Sequence, residues 1–383
     1  MYKITLIHPS AGVNWKGNSE NFTIELARYL DNYFEVELLS GAECGSFSRP
    51  IKSITRNDVI NWQHYSLLDR FLHKWFDEPE LAIEHLTSFL PCITYLLKNP
   101  SDLIFPQNGY GGLFVAKCIR AIRGTPILFT EHSSLSQKSE DLRHHLTLKP
   151  DRIVVPNPAV ARYVRHFAPD RPFNIIPYGI NPKEFTPVGK AMITGLPKPN
   201  ILCVAPLKRY GNSRIELAIE AVARLPEASL LICGDGSDRD YFQELGDRLL
   251  GADRFQIKTF AYAQMPQVYR SADVFTLPSI EAFRGLAYIE AMACGLPVVA
   301  TDDSVRRYLI GDAGITCNVT DIDIYTESLQ TALDKHWLKQ QPWNNALRFS
   351  WHEVVLLYNK AILQTITKPD NSFTVPRVQH FQR

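Results

Sequence analysis

LPSIEAFRGLAYIEAMACGLPVVAT, residues 277–301, joins the end of an apolar strand to a helix-like segment and then to a second apolar strand. Val274-Phe275-Thr276-Leu277 reads as the first strand. Val298–Thr301 reads as the second, entered through a Gly295-Leu296-Pro297 step. Two glutamates flank the turn Arg284-Gly285-Leu286: Glu281 falls in the loop after the first strand, and Glu290 about one turn into the helix. Gly285 has no Cβ and lets the backbone approach a ligand closely. The N–H groups at a helix start attract phosphate. A carboxylate beside them suits hydroxyl donors such as a ribose or a sugar ring. Together these features describe a pocket for a sugar joined to a nucleoside diphosphate.

Outward from this stretch, short apolar runs alternate with segments of helical periodicity. Ile4–Ile7, Val36–Leu39, Leu103–Phe105, Ile127–Thr130, Ile153–Val155 and Asn174–Ile176 form one set of expected strands. Ile201–Val204, Leu230–Ile232, Phe255–Phe260, Val274–Leu277, Val298–Thr301 and Gly314–Thr316 form a second. Phe22–Leu30, Ile215–Leu225 and Asp240–Leu250 carry helical patterns between them. Such alternation predicts the α/β class, with parallel sheets covered by helices on both faces. Two sets imply two Rossmann-like domains facing one another. Pro177–Pro182 and Gly195-Leu196-Pro197-Lys198-Pro199 punctuate the chain between the sets. The expected domains are therefore 1–182 and 198–345, with a helix over 346–367 and a polar tail over 368–383.

Composition narrows the class. A chain of 383 residues suits two or three domains at about 150 residues each. With 45% hydrophobic and 21% charged residues it reads as globular. A net charge of +1 leaves no nucleic-acid footprint in the total. The seven cysteines are scattered and form no CxxC pair, which argues against a zinc site or disulfide framework and fits a reducing compartment. The N-terminal MYKITLIHPS reads as a first strand rather than a signal peptide. No apolar run reaches the length of a membrane span.

The 277–301 stretch resembles the donor-binding signature of the retaining, family-4 type glycosyltransferases (glycosyl transferases group 1) of the GT-B fold. Their pattern is Glu, seven residues, Glu-Ala-Met-Ala, then Gly-x-Pro-Val-Val-Ala. Glu290–Ala300 matches it closely, whereas eight residues separate Glu281 from Glu290, Arg284 reading as the extra one. Ile175–Asn181 resembles the family's interdomain hinge. Phe349–Tyr358 resembles its final helix, which crosses back to the first domain.

The resemblance implies roles. Glu290 would bind the ribose hydroxyls and Glu281 the hydroxyls of the donor sugar. Backbone groups of Gly285, Leu286 and Ala287 would hold the diphosphate. The family places an Arg and then a Lys after the first strand of the second domain, but here Pro206 and Tyr210 or Gly211 stand in those positions. Lys208 and Arg209 are the nearby cations. His132, at the end of Ile127–Thr130, would contact the sugar near the reacting carbon. Gly12, in the loop after the first strand, would lie near the donor phosphates and the acceptor, with Gly17 as the second choice. The implied activity is transfer of a hexose-type sugar from a nucleotide-diphosphate sugar to an acceptor hydroxyl, with retention of anomeric configuration. No cofactor is expected. No stretch is read as the paired-aspartate metal motif of the other main glycosyltransferase fold, so no essential divalent ion is expected. The acceptor, whether glycan, glycolipid or natural product, stays open. The expected location is cytoplasmic, with peripheral contact at the inner membrane face allowed.

Two rival readings stand beside this one. Pro206 motivates a non-catalytic partner or regulator of the same fold. A nucleotide-sugar epimerase would need an acid–base pair, and no second carboxylate is placed for it. Other features are weaker. Gly234-Asp235-Gly236 resembles the family's Gly-x-Gly turn. Asn108–Gly112 is a glycine-rich loop with no phosphate fingerprint. Phe260-Ala261-Tyr262 could border the nucleobase. The aromatic segment Asn61–Phe76 reads as core, and His144 and His145 as surface or core residues.

Overall fold

The computed structural model describes residues 1–13, 18–62, 79–109, 111–132, 139–280 and 285–367. Glu281, Gly17, most of the aromatic segment 61–76 and the tail 368–383 lie outside the described residues.

Among the described residues, seven strands belong to the first half of the chain. They are β1 (Lys3–His8), β2 (Glu35–Ser40), β3 (Ser48–Pro50), β4 (Leu103–Pro106), β5 (Leu128–Thr130), β6 (Arg152–Val155) and β7 (Phe173–Ile175). They run in the orders β3-β2-β1-β4 and β5-β6-β7, and a parallel bridge between Ile104 and Ile127 joins the two groups. Six more form a second sheet: β8 (Asn200–Val204), β9 (Ser229–Cys233), β10 (Phe255–Lys258), β11 (Val274–Leu277), β12 (Val298–Thr301) and β13 (Gly314–Cys317), in the order β10-β9-β8-β11-β12-β13. Every pairing among them is parallel. The central strands are continuously apolar, as parallel strands covered on both faces must be, and Ile201, Leu202, Leu230, Leu231 and Ile232 are all fully buried.

In each sheet the chain moves outward from its first strand and then returns to that strand's other side. The order reverses between β1 and β4, and again between β8 and β11. Such switch points leave a crevice at the carboxyl ends of the strands, where ligands bind.

The last helix, Trp351–Ile366, follows the second sheet in sequence, yet its buried face belongs to the first. Trp351, Val354, Val355, Tyr358 and Ile362 share one core with Ile4, Leu6, Leu103 and Phe105. The Trp351 ring stacks on Tyr29 with centroids 5.5 Å apart. The segment before it is zipped to the chain between the sheets: Ile180 N–H donates to Phe349 O at 2.8 Å, and Trp351 N–H to Ile180 O at 3.0 Å.

Several boundaries differ from expectation. The helix expected over Phe22–Leu30 begins at Asn18. The strand expected over Phe255–Phe260 ends at Lys258, where the chain bends into the turn Tyr262–Gln264. The helix expected over 346–367 runs from Trp351 to Ile366, started by Ser350, which accepts from Glu353 N, and a separate helix, Gln340–Leu347, precedes it. Ser48–Pro50 was not expected at all: three residues with one buried side chain carry no period.

Candidate functional site

At the β8/β11 switch point two loops are tied together. Ile280 N–H donates to Asn212 O at 2.7 Å. Arg214 Nε donates to Pro278 O at 2.7 Å and its Nη2 to Thr301 Oγ1 at 3.2 Å. Beneath them lies Arg306, fully buried. Its Nη2 donates to both Ser279 O and Ser279 Oγ at 2.6 Å, its Nε to Tyr288 Oη at 3.1 Å, and its Nη1 to the Asp303 carboxylate. Asp303 also caps the helix Ser304–Ile310, accepting from Val305 N and Arg306 N. Two guanidiniums thus fix the peptide that leads into the loop carrying Glu281.

That loop ends at Gly285, with φ of +66°. A Cβ there would lie 2.2 Å from Leu309 Cδ1, so both conformation and space demand glycine. The helix Leu286–Ala293 starts here, and its first internal bonds come from Tyr288 and Ile289 N–H to Gly285 O. The amides of Leu286 and Ala287 precede those bonds, as at any helix start. Leu286 also packs against the core of the first sheet, which brings the start of this helix beside the other half of the molecule.

Glu290 sits on the buried side of this helix. Its Oε1 accepts from Tyr262 Oη at 3.0 Å and its Oε2 from Tyr269 Oη at 2.8 Å. Burial raises its pKa from 4.5 to about 7, against the opposing pull of the two tyrosine hydroxyls. Tyr262 stands on the turn after β10, the position expected to border a nucleobase.

The expected cations are placed unevenly. Lys208 is exposed in the loop after β8. The Arg209 guanidinium lies over the rings of Tyr241 and Tyr210, 4.2 and 4.8 Å from their centroids, on the side of the helix Arg239–Leu250. Arg214, a third cation of this loop, is tied to the end of β11 and to β12, its guanidinium donating to Pro278 O and Thr301 Oγ1. Sequence reasoning missed it; its left-handed φ of +48° is visible only in the fold. Asp-x-Asp spacings do occur, at Asp238–Asp240 and Asp321–Asp323. Asp238 accepts from Arg209 N at 3.0 Å and Ser237 Oγ at 2.9 Å, and Asp321 caps the helix Ile322–Asp334.

In the first half, Gly12 follows β1 with φ of +78°, and a Cβ there would meet Ala42 O at 2.5 Å. His132 follows β5, with Nδ1 paired to the Tyr178 hydroxyl and Nε2 3.3 Å from Gln107 Oε1. The ring of Phe22 meets it edge-on at 5.4 Å. The preceding Glu131 is buried and takes a 2.7 Å bond from His145 Nδ1, so His145 is a core residue that fixes the end of this strand. His144 is exposed.

Comparison with known proteins matches both halves. Residues 198–335 fit the family model described as glycosyl transferases group 1, and residues 19–184 that of glycosyltransferase family 4. A phosphatidyl-myo-inositol mannosyltransferase of Mycolicibacterium smegmatis is 34% identical over 174 residues, covering 43% of this chain and 44% of the relative. The chain spans about half the length of the curated relatives it matches. Among solved structures, sucrose-phosphate synthase of Thermosynechococcus elongatus superposes with a TM-score of 0.75 at 19% identity, over 96% of this chain and 100% of that one. HepE of Anabaena, solved with UDP and glucose, superposes with a TM-score of 0.65 at 18% identity, over 96% and 100%. At these identities the superpositions speak for the fold.

Proposed function

The chain belongs to the family-4, group-1 type glycosyltransferases of the GT-B fold, and from that premise we propose that it moves a hexose-type sugar from a nucleotide-diphosphate sugar to an acceptor hydroxyl, with retention. The observation that carries this reading is Glu290: a buried carboxylate one turn into a helix whose start is glycine-capped and sits at a sheet's switch point. The second domain, 198–345, would hold the donor and the first, 1–182, the acceptor. The relative named as a phosphatidyl-myo-inositol mannosyltransferase and the structure holding UDP with glucose support a hexose donor and a hydroxyl acceptor.

In this reading the ribose hydroxyls donate to Glu290, and Glu281 receives hydroxyls of the sugar. The amides at Gly285, Leu286 and Ala287 meet the diphosphate. Lys208 and Arg209 are the expected partners of its charge, and Arg214 is a third cation on the same loop. Positive charge fixed there stabilises the leaving group as the sugar–phosphate bond breaks. The acceptor hydroxyl attacks from the face the diphosphate leaves, through an oxocarbenium-like transition state, with His132 beside the reacting carbon. The amides and arginines are proposed to suffice without a divalent ion. Among the described residues no helix is long and apolar enough to cross a membrane. The seven free cysteines support a reducing, cytoplasmic setting, with peripheral contact at the inner membrane face still allowed.

Turnover of a nucleotide-sugar with an acceptor panel tests this reading, followed by proton NMR of the product's anomeric coupling, with and without EDTA. A retained configuration and an EDTA-insensitive rate are expected; an inverted product or a metal requirement contradicts it. Pro206, together with the stacked Arg209, favours one second reading, a non-catalytic member that binds nucleotide without turnover.

A further inference from the structure

His132 is tied to the chain that joins the two sheets. It follows β5 and is half-buried. Its Nδ1 is paired with the Tyr178 hydroxyl, and its Nε2 stands 3.3 Å from Gln107 Oε1. Tyr178 lies just past β7, on the segment leading to the second sheet, and is 3% exposed. The Phe22 ring packs on both partners, 5.4 Å from the His132 ring and 4.7 Å from that of Tyr178. Ile180, on the same segment, is zipped to Phe349 and Trp351. The Trp351 ring fills the space beside Gly179, where a Cβ would lie 2.5 Å from Cδ2. Tyr178 is therefore fixed by the joint between the two halves as well as by the first sheet's core.

A neutral imidazole carries one N–H and one lone pair, and the partner of one nitrogen decides which tautomer is present. Gln107 Oε1 can only accept. The nitrogen that faces it, Nε2, is therefore the one that carries hydrogen and donates. That leaves Nδ1 as the acceptor of the Tyr178 O–H. The other tautomer would set two lone pairs against each other at 3.3 Å. A buried tyrosine hydroxyl needs a partner of its own, so the same bond serves both residues.

We propose that Tyr178 is a positioning residue of the transfer site: its hydroxyl holds His132 as the Nε2–H tautomer, so that the hydrogen Gln107 accepts in the empty site is the one offered to the sugar. The word transfer rests on the glycosyl-transfer reading above, which puts the sugar beside His132; the tautomer rests on the hydrogen bonds alone.

The test is proton–nitrogen correlation NMR of the imidazole nitrogens in histidine-labelled protein, at about pH 8, where an ordinary imidazole is neutral. It is run on wild type, Tyr178→Phe and Tyr178→Leu, with His132→Gln to assign the signals. Wild type should show hydrogen on Nε2 of His132 and a bare Nδ1. Tyr178→Phe keeps the ring and its packing on Phe22 but removes the donor, so Nδ1 should gain a share of the hydrogen. Turnover of a nucleotide-sugar by the same variant should fall about tenfold in kcat, the loss of one hydrogen bond, with KM little changed. A tyrosine that serves packing alone would leave tautomer and kcat of Tyr178→Phe as in wild type, and only Tyr178→Leu would suffer. Either an unchanged tautomer or an unchanged kcat in Tyr178→Phe overturns the proposal. Thermal melts report folding, and if Tyr178→Phe is unfolded the wild-type spectrum decides: hydrogen on Nδ1, as a reversed Gln107 amide would produce, overturns it. The spectrum needs no substrate, which separates the two readings. The Nε2–H tautomer without turnover of any nucleotide-sugar sinks the transfer reading alone, and turnover with the other tautomer sinks the positioning alone.

Discussion

Glu290 is engaged by Tyr262 and Tyr269 before any ligand arrives. Its pKa is raised to about 7, so the folded chain holds this proton more tightly than the unfolded chain does. The resulting stabilisation is fully present below the ordinary carboxylate pKa of 4.5 and is lost as the pH rises through about 7. At about 1.4 kcal/mol per pKa unit, it amounts to about 3 kcal/mol. Glu290→Gln removes this dependence. Its urea stability should vary less than that of wild type between about pH 5 and pH 8 and should exceed it at the upper end; parallel pH profiles would contradict the assignment. Ribose hydroxyls need the ionised acceptor, so wild-type affinity for a nucleotide-sugar should rise across the same window, as calorimetry can check. The position of Glu290 was legible in the sequence, because helix period and the Gly-Leu-Pro step locate it. The pairing of Tyr262 and Tyr269 with its carboxylate was not. They come from the segment after β10, and only the packing of that segment on the helix Leu286–Ala293 brings them together.

The helix Leu286–Ala293 has only eight residues, too few to hold its own orientation. Arg306 and Arg214 hold it from below, through Ser279, Pro278 and Tyr288. Arg306→Met would leave the Ser279 carbonyl and the Tyr288 hydroxyl without this donor, and should cost about 3 kcal/mol in urea denaturation. Arg306→Lys keeps the charge but not the planar fork, and should recover only part of that loss. Full recovery would mean that charge, rather than geometry, is what the loop requires. The strands beside this helix were read from sequence with their observed ends, Val274–Leu277 and Val298–Thr301, because turn residues bound an apolar run on each side. The arginine clamp was invisible: its members lie on different loops, and a lone Arg in a sequence reads as surface. Arg209 shows the converse. Proximity in sequence suggested the diphosphate, and in the fold its guanidinium lies over the rings of Tyr241 and Tyr210.

Across the whole molecule, the helix Trp351–Ile366 belongs to one sheet by sequence order and to the other by packing. Trp351 meets Phe22 and Tyr29, and a Cβ on Gly179 would collide with its ring. Trp351→Ala should destabilise the chain by about 3–5 kcal/mol. Hydrogen exchange should then quicken in β1 and β4, whose core this residue completes; protection lost only in the second sheet would contradict that packing. The two-sheet architecture was legible because strand–helix alternation leaves few alternatives. That the two domains face one another was legible too; the contact of Leu286 with the first sheet's core was not, since no pattern in the sequence marks it.

The central claim is that the β8/β11 crevice binds a nucleotide-sugar through Glu290. A thermal-shift panel of UDP, GDP, ADP, dTDP and their sugar conjugates, on wild type and Glu290→Ala, tests it most directly. One nucleotide at about 100 times its dissociation constant should stabilise wild type by about 2.7 kcal/mol and leave Glu290→Ala unshifted. No shift with any nucleotide, or an equal shift in the variant, would contradict the account.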